Sequence, residues 1–165
     1  MFISLSAINF YGKPKNYGVL DKYVSRSSQP QKEDFLWLKE HGVTDVFNFR
    51  TMHKPDVDFD EEAVVKSLGM NYHQIPSITR DPKEENLNLF LRKVEEVKKR
   101  GGKVHIHCKA GADRTGMYAF IYKMINNIDT KAQNLAEWFK HGFHYKRYPQ
   151  ILEWAENFIA KSKKI

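Results

Sequence analysis

The sequence is poor in the features that mark secreted and membrane proteins. Its single cysteine, Cys108, cannot form a disulfide within the chain, so the fold does not require an oxidising compartment. No apolar run approaches the ~18 residues of a spanning helix. The opening segment, residues 1–13, has no basic start and no cleavage site typical of a signal peptide. These absences predict a cytoplasmic protein without an integral membrane segment.

The sequence also lacks internal repeats, low-complexity tracts and linkers that would divide it into parts. Apolar residues make up 41% of the chain and aromatic residues 13%, which is typical of a folded globular protein rather than a disordered one. A length of 165 residues is enough to bury a core without disulfides. We therefore expect residues 1–165 to form a single domain.

The chain has fewer acidic than basic residues: it contains 20 Asp and Glu against 27 Lys and Arg, which gives a net charge of +7. A positive excess favours anionic partners such as nucleic acid, an anionic membrane surface or a phosphorylated substrate. The basic residues are spread along the chain without a dense basic stripe between aromatics, so we expect no nucleic-acid partner. Arg26, Arg50 and Arg80 are most simply surface residues, although one of them can line the mouth of a pocket.

Segments with strand and helix patterns alternate along the chain. Three segments are rich in β-formers and are predicted strands: 43–50, 70–76 and 103–108. Six segments have helical apolar spacing and are predicted helices: 28–42, 59–69, 81–102, 114–127, 129–142 and 148–163. The alternation predicts an α/β fold in which a central, mostly parallel sheet is flanked by helices. In the third helical segment, Asp81 precedes Pro82 and Glu84, an order that predicts Asp81 as its N-cap.

The most informative stretch is "KVHIHCKAGADRTGMYAF", residues 103–120. Cys108 ends the third predicted strand, and Arg114 stands near the start of a helix, so the stretch lies where parallel sheets bind ligands. The loop between them consists of Lys109, Ala110, Gly111, Ala112 and Asp113. Small residues let the backbone N–H groups turn inward as an anion nest, and the helix N-terminus adds positive potential. We predict a phosphate-binding loop, or P-loop, between this strand and this helix.

The side chains around this loop suggest nucleophilic chemistry. Arg114 can bind two phosphate oxygens with its planar guanidinium, and the positive field favours the thiolate form of Cys108. We expect the Thr115 hydroxyl to reach back to the Cys108 sulfur and to ease the departure of that sulfur when a covalent intermediate is hydrolysed. His107 is expected to order the loop by hydrogen bonding. Although His105 and His107 precede Cys108, their spacing is not that of a zinc site, so we expect no metal.

The segment "HCKAGADRTG" resembles the Cys-X5-Arg signature of cysteine-based phosphatases, the superfamily of tyrosine and dual-specificity enzymes. The segments "VSRSSQP", "LKEHGVTDVFNFR" and "LGMNYHQIP" also resemble compact bacterial and atypical members, so the resemblance covers residues 20–125. It implies a phosphocysteine intermediate on Cys108, phosphate bound by Arg114 and the loop amides, and no metal or cofactor.

The general acid is the part of the family pattern that this sequence does not reproduce clearly. Many members carry an aspartate upstream of the cysteine, where this chain offers Asp81. Some bacterial members with Lys-Asp-Arg at the end of the loop use that aspartate, which corresponds to Asp113, but Ala112 replaces the lysine here. Because Asp81 is already expected to cap a helix, we favour Asp113 as the acid and keep Asp81 as the alternative.

The substrate is less well defined by the sequence. Lys109 gives the "CKAG" opening that resembles lipid phosphatases of the phosphatase-and-tensin type, yet Ala112 replaces their second basic residue. Because an inositol ring with several phosphates needs several cations, phosphotyrosine or phosphoprotein substrates come first. Phosphoinositides and inositol polyphosphates come second. A catalytically silent phosphate-binding module is the alternative of a different class.

Overall fold

The computed structural model describes residues 12–51 and 57–163, and most of the opening segment 1–13 lies outside them. A five-stranded sheet in the order β1-β2-β5-β3-β4 forms the centre. Its strands are β1 (Gly18–Val19), β2 (Val24–Ser27), β3 (Asp45–Asn48), β4 (Asn71–Gln74) and β5 (Val104–His107). Only the β1–β2 pair is antiparallel, so the predicted α/β fold with a mostly parallel sheet is confirmed.

Helices cover both faces of the sheet. They are α1 (Asp34–Glu40), α2 (Glu61–Ser67), α3 (Glu84–Lys99), α4 (Asp113–Ile125), α5 (Lys131–Lys140) and α6 (Pro149–Ser162). Each lies within one of the six segments predicted to be helical, apart from α4, which begins one residue earlier. In the part of the chain that the structure describes, no helix is both long enough and apolar enough to cross a membrane.

Successive residues of β3 face opposite sides of the sheet, and each side has its own hydrophobic cluster. Val46 packs with α1 and α2 in a cluster whose members are Phe35, Leu38, Val43, Val46, Val65 and Met70. Phe47 packs with α3 and α4 on the other face, in a larger cluster that also contains Ile106 of β5. Burial of each such side chain contributes about 1.5–3 kcal/mol to the stability of the sheet that carries the loop.

Strands β1 and β2 were not predicted from the sequence. The segment of β2, "VSRS", has one apolar residue, yet all four of its residues are buried. It pairs with β5 in parallel register, and Ser27 lies beside His107, the last residue of β5. Asn48 of β3 lies beside His107 on the other side. The register therefore brings the carboxyl ends of three strands together on the two sides of Cys108.

The prediction that Asp81 caps a helix is wrong. Helix α3 begins at Glu84, and its N-cap position is occupied by Lys83, whose side chain makes no capping hydrogen bond. Asp81 instead forms an isolated β-bridge with Ile78, and its amide donates to the Ile78 carbonyl at 3.1 Å. Its carboxylate contacts Lys83 Nζ at 2.8 Å. The tight turn at 78–81 keeps Asp81 and Pro82 outside the helix.

Candidate active site

Cys108 lies directly after β5, between the carboxyl ends of β2 and β3, and its side chain is buried with a free thiol. Helix α4 begins five residues later at Asp113, with Ala112 at its N-cap position. The structure therefore forms the predicted strand–loop–helix unit, and α4 directs its N-terminus toward the loop. The name P-loop is used from here on for residues 108–114, the loop that the sequence predicts to bind phosphate.

The carbonyl groups of the P-loop are bonded away from its interior. Five consecutive carbonyl oxygens each accept a hydrogen bond: Cys108 from His107 Nδ1 at 3.2 Å, Lys109 from the Gln29 amide at 2.9 Å, Ala110 from Asn16 Nδ2 at 3.0 Å, Gly111 from Arg26 Nη2 at 2.6 Å, and Ala112 from Trp138 Nε1 at 3.0 Å. In a trans peptide the following N–H points opposite to the carbonyl. The N–H groups of residues 109–113 therefore face inward as an anion nest.

The close approach of the P-loop to β2 explains Gly111. This residue has a φ of +68°, and a Cβ atom added there would lie 2.6 Å from the backbone nitrogen of Ser28. Backbone atoms cannot move aside as the end of a flexible side chain can. Glycine is therefore required both for the left-handed conformation and for the contact between the loop and the end of β2.

We expect Gly111→Ala to destabilise the protein by roughly 2–4 kcal/mol, from backbone strain and overpacking. This corresponds to a fall of roughly 5–15 °C in Tm, measured by calorimetry. Gly101→Ala is the matched control, because Gly101 also has a positive φ, +76°, but nothing lies within 4 Å of its added Cβ. In Gly101→Ala the free energy of unfolding should fall only by the part that comes from backbone strain. Equal losses of Tm and of activity in the two variants would contradict a tight contact at Gly111.

Helix α5 contacts the P-loop through Trp138, which is fully buried and donates to the Ala112 carbonyl. An added Cβ at Gly116 of α4 would collide with the Trp138 indole ring, so glycine is what allows the two helices to approach this closely. Trp138 also stacks on Phe143, with ring centroids 4.0 Å apart. The packing of α4 against α5 therefore fixes one side of the loop.

Arg114 is half-buried on the first turn of α4 and is fixed by two carbonyl groups. Its Nη1 donates to Phe49, after β3, and to Ser77, after β4, at 3.4 Å each. Ser77 is buried, and its hydroxyl bonds to the phenol of Tyr118 at 2.7 Å. Burial raises the pKa of Tyr118 to about 12, which keeps this phenol neutral. Because both contacts of Arg114 use Nη1, its Nε–Nη2 edge is the one suited to two phosphate oxygens.

A buried contact between His107 and Glu61 lies behind Cys108. His107 Nε2 is 2.6 Å from the carboxylate of Glu61, on the first turn of α2, and Nδ1 donates to the Cys108 carbonyl. Burial acts to raise the pKa of Glu61, but His107 and the side-chain amide of Gln29 outweigh it and keep that pKa below its ordinary value.

His105 is a core residue in this structure. Its two ring nitrogens lie 2.8 Å from Ser25 Oγ and 2.7 Å from Ser27 Oγ, and the residue is fully buried. Burial, with a smaller effect of the charge on His107, lowers the pKa of His105 well below its ordinary value. Among residues 12–51 and 57–163, no group of three or more His, Cys, Asp or Glu side chains is arranged to bind a metal ion.

The two candidate acids have different surroundings. Asp113 is mostly buried at the end of the P-loop, and its two oxygens accept from the amide and Nδ1 of His144, at 2.8 and 2.9 Å. Asp81 is exposed in the turn that follows Ser77, the residue that contacts Arg114. Thr115 is buried, and within the described residues its hydroxyl has no hydrogen-bond partner, so it makes no bond to the sulfur here.

Several residues that shape the site were missed in the sequence. Arg26 and Arg50 were expected at the surface, but both are buried, and Arg26 bonds to the P-loop. Asn16, Glu61 and Trp138 also contact residues of the loop or the histidine before it. The only local signal was the polar character of the "VSRSSQP" segment, since the other contacts join residues more than 20 positions apart.

The fold is that of the cysteine-based phosphatase superfamily of protein tyrosine and dual-specificity enzymes, as the resemblance implied. Residues 15–148 match the family model described as "DSP-PTPase phosphatase fused to NAD+ kinase", and the chain belongs to this family. Among curated protein sequences, none matches the chain significantly.

Solved structures of phosphatases have the same fold. A DUF442 protein of Shewanella putrefaciens, assigned as a phosphatase, is 25% identical with a TM-score of 0.77, covering 90% of this chain and 92% of its own. P. aeruginosa TpbA in complex with pTyr is 20% identical with a TM-score of 0.69, covering 85% and 82%. The catalytic domain of the S. cerevisiae PP-IP phosphatase SIW14 is 20% identical with a TM-score of 0.68, covering 90% and 85%.

Proposed function

We propose that the protein hydrolyses phosphate monoesters through a phosphocysteine intermediate on Cys108. The observation that carries this proposal is the set of five outward-bonded carbonyl groups, which turns the N–H groups of residues 109–113 toward the inside of the loop. Arg114 adds a guanidinium fixed by two carbonyls. Such an arrangement matches the negative charge that a transferring phosphoryl group carries in the transition state.

Two displacements at phosphorus make up the proposed reaction. The Cys108 thiolate attacks phosphorus, an S–P bond forms, and the P–O bond to the leaving group breaks. The leaving oxygen keeps the electron pair of that bond and takes a proton from an acid. Water then attacks the phosphocysteine and gives one proton to the conjugate base of that acid, the S–P bond breaks, and the thiolate and inorganic phosphate are released. In this proposal the amides and Arg114 supply the positive charge, and no metal ion or cofactor takes part.

Phosphotyrosine and phosphoprotein substrates are our first choice for this reaction. Ala112 is buried at the end of the loop and adds no charge there, while Lys109 at the start of the loop is exposed. Because a ring with several phosphates needs several cations and Ala112 supplies none, the loop favours a substrate with a single phosphate over an inositol polyphosphate. The pTyr complex of TpbA and the activity named for SIW14 show that this fold accommodates both classes in other proteins, so inositol phosphates and phosphoinositides are the second choice.

A substrate panel tests the proposed function. It contains a phosphotyrosine peptide, a phosphoserine peptide, a phosphoinositide, an inositol polyphosphate and NADP+, the product of the kinase named in the family description. Each is assayed with the wild type and with Cys108→Ser. We expect release of phosphate to be fastest from the phosphotyrosine peptide and absent in the variant. Faster turnover of an inositol compound would replace the first choice by the second.

The panel also tests the catalytically silent alternative. A binding module would bind inorganic phosphate, measured by calorimetry, without releasing phosphate from any member of the panel. The presence of both Cys108 and Arg114 supports an active enzyme, because a binding module needs no nucleophile beneath the nest.

The general acid is tested with aryl phosphates whose phenols span a range of pKa. A positioned acid is worth roughly 10²–10⁴ in rate when the leaving group is poor, and less when the phenolate is stable. We propose Asp113 as the acid, because it is mostly buried at the end of the loop, directly before Arg114. Asp113→Asn should therefore slow poor leaving groups far more than activated ones, measured as kcat across the series.

Asp81→Asn is the comparison variant. Because Asp81 does not cap α3 and its exposed pair with Lys83 is worth at most about 1 kcal/mol, Tm should hardly change. The dependence of kcat on the pKa of the leaving phenol should be the same in Asp81→Asn as in the wild type. A steeper dependence in Asp81→Asn alone would assign the acid to Asp81. If neither variant shows it, the proton comes from water or from the substrate.

A further inference from the structure

Arg26 is a completely buried arginine on β2, behind the P-loop. Its Nη2 donates to the Gly111 carbonyl at 2.6 Å, and its Nη1 donates to both carboxylate oxygens of Glu137 on α5, at 3.0 and 2.9 Å. Its Nε is buried without a hydrogen-bond partner among the described residues. The guanidinium therefore joins the loop to α5 from the side on which the loop carbonyls lie, opposite to the N–H groups of the loop.

A buried charge of this kind is not explained by stability alone. Desolvating two charges is expensive, and well-packed hydrophobic residues in place of a buried ion pair often stabilise a protein. Burial lowers the pKa of Arg26, whereas the Glu137 carboxylate and then the Cys108 sulfur act in the opposite direction.

We infer that Arg26 is a positioning residue for the phosphate chemistry of Cys108. The Arg26 guanidinium holds the Gly111 carbonyl outward, so that the N–H group of Ala112 faces the phosphate. The positive charge of the same guanidinium supports the thiolate form of Cys108 from behind the loop. Glu137 orients the fork and partly offsets its charge. This inference rests on the proposed function, since it concerns the same nucleophile and the same anion.

Among the residues that the structure describes, three charged or titratable groups face Arg26. They are Glu137 and His141 from α5 and its C-terminal end, and Cys108 from the loop. His141 is nearly buried, with Nε2 3.3 Å from Glu137 and Nδ1 2.9 Å from the side-chain oxygen of Asn16. Burial, and then the charge on Arg26, lower the pKa of His141, which leaves Glu137 as the main charge opposing Arg26.

Alkylation of Cys108 by iodoacetamide, followed by intact mass, measures the thiolate without a substrate. Because the chain has one cysteine, the label reports this sulfur alone. In Arg26→Met the midpoint of the pH profile should rise by about one pH unit, as expected for the loss of a nearby opposite charge. Protection of the thiol by inorganic phosphate should weaken by roughly tenfold.

Glu137→Gln separates the charge of Arg26 from general damage to the loop. The glutamine oxygen still accepts a bond from Nη1, but the negative charge is removed, so the midpoint should move to lower pH. A role that was only structural would move both variants in the same direction. Arg26→Lys should keep the midpoint near that of the wild type while weakening phosphate protection, because lysine keeps the charge and loses the fork.

Arg92→Met is the matched control, because Arg92 is exposed on α3 and should leave both the midpoint and the protection unchanged. Should Arg26→Met fail to fold, Glu137→Gln and Arg26→Lys decide the question. An unchanged or raised midpoint in Glu137→Gln would overturn the inference. If the wild-type thiol is instead unreactive at neutral pH and phosphate does not protect it, the proposed function itself fails.

Discussion

Replacing Cys108 with serine is expected to abolish turnover, with a loss on the order of 10⁶-fold, the scale seen when an enzyme loses its nucleophile. A serine hydroxyl is hardly ionised at neutral pH, and neither the nest nor the helix N-terminus supplies a base to activate it. The change is nearly isosteric at a buried position. We expect the free energy of unfolding of Cys108→Ser to fall by about 1 kcal/mol, which corresponds to about 2–4 °C in Tm.

Cys108→Ser should still bind inorganic phosphate. The N–H groups of residues 109–113 and Arg114 are unchanged in it, so inorganic phosphate should still bind, which calorimetry measures. As a complementary test, wild-type protein quenched during turnover should carry one phosphoryl group on Cys108, detected by mass spectrometry of the peptide. Residual activity within tenfold of wild type in Cys108→Ser would exclude the phosphocysteine mechanism.

The strand–loop–helix unit that contains Cys108 could be predicted, because the residues that define it are local. Cys108, the small residues after it and Arg114 lie within seven consecutive positions, between a strand and a helix that each have a clear apolar pattern. Local spacing also predicted three of the five strands and the six helices. These segments bury apolar side chains against the sheet, so their periodicity reports their environment.

Strand β2 could not be predicted in this way, because its buried face is polar. Ser25 and Ser27 bond to His105, and Arg26 bonds to Glu137 and Gly111, so these side chains are buried through hydrogen bonds rather than through apolar contact. A hydrophobicity pattern cannot identify such a strand. The histidine, glutamate and glycine that these side chains bond to lie more than 75 positions away along the chain, where the sequence alone gives no pairing.

The cap predicted for Asp81 failed for a related reason. The sequence "DPKEE" contains the residue types of a helix start, but the backbone bridge between Ile78 and Asp81 uses those residues for a turn. The helix then starts at Glu84 without a side-chain cap. Tertiary contacts of the turn, including the bond from Arg114 to the Ser77 carbonyl, override the local preference. This result leaves Asp81 free of a capping role and makes its variant a clean test of acid chemistry.

The fixed surroundings of Arg114 give the second large expected effect. Arg114→Lys should lower kcat/KM by roughly 10²–10³-fold, the range for removal of a donor that stabilises transition-state charge. Lysine keeps the positive charge but cannot bond the Phe49 and Ser77 carbonyls with one nitrogen while offering two further N–H groups in a plane.

Steady-state kinetics on an aryl phosphate test this expectation, and Arg92→Lys on the exposed face of α3 is the matched control. The control should retain the wild-type kcat/KM, because it makes the same chemical change away from the loop. If charge alone mattered, Arg114→Lys would also be nearly normal, and a planar two-point grip on phosphate would be excluded. A loss in kcat rather than in KM is expected, because the second N–H contact strengthens as negative charge develops on the transferring phosphoryl group.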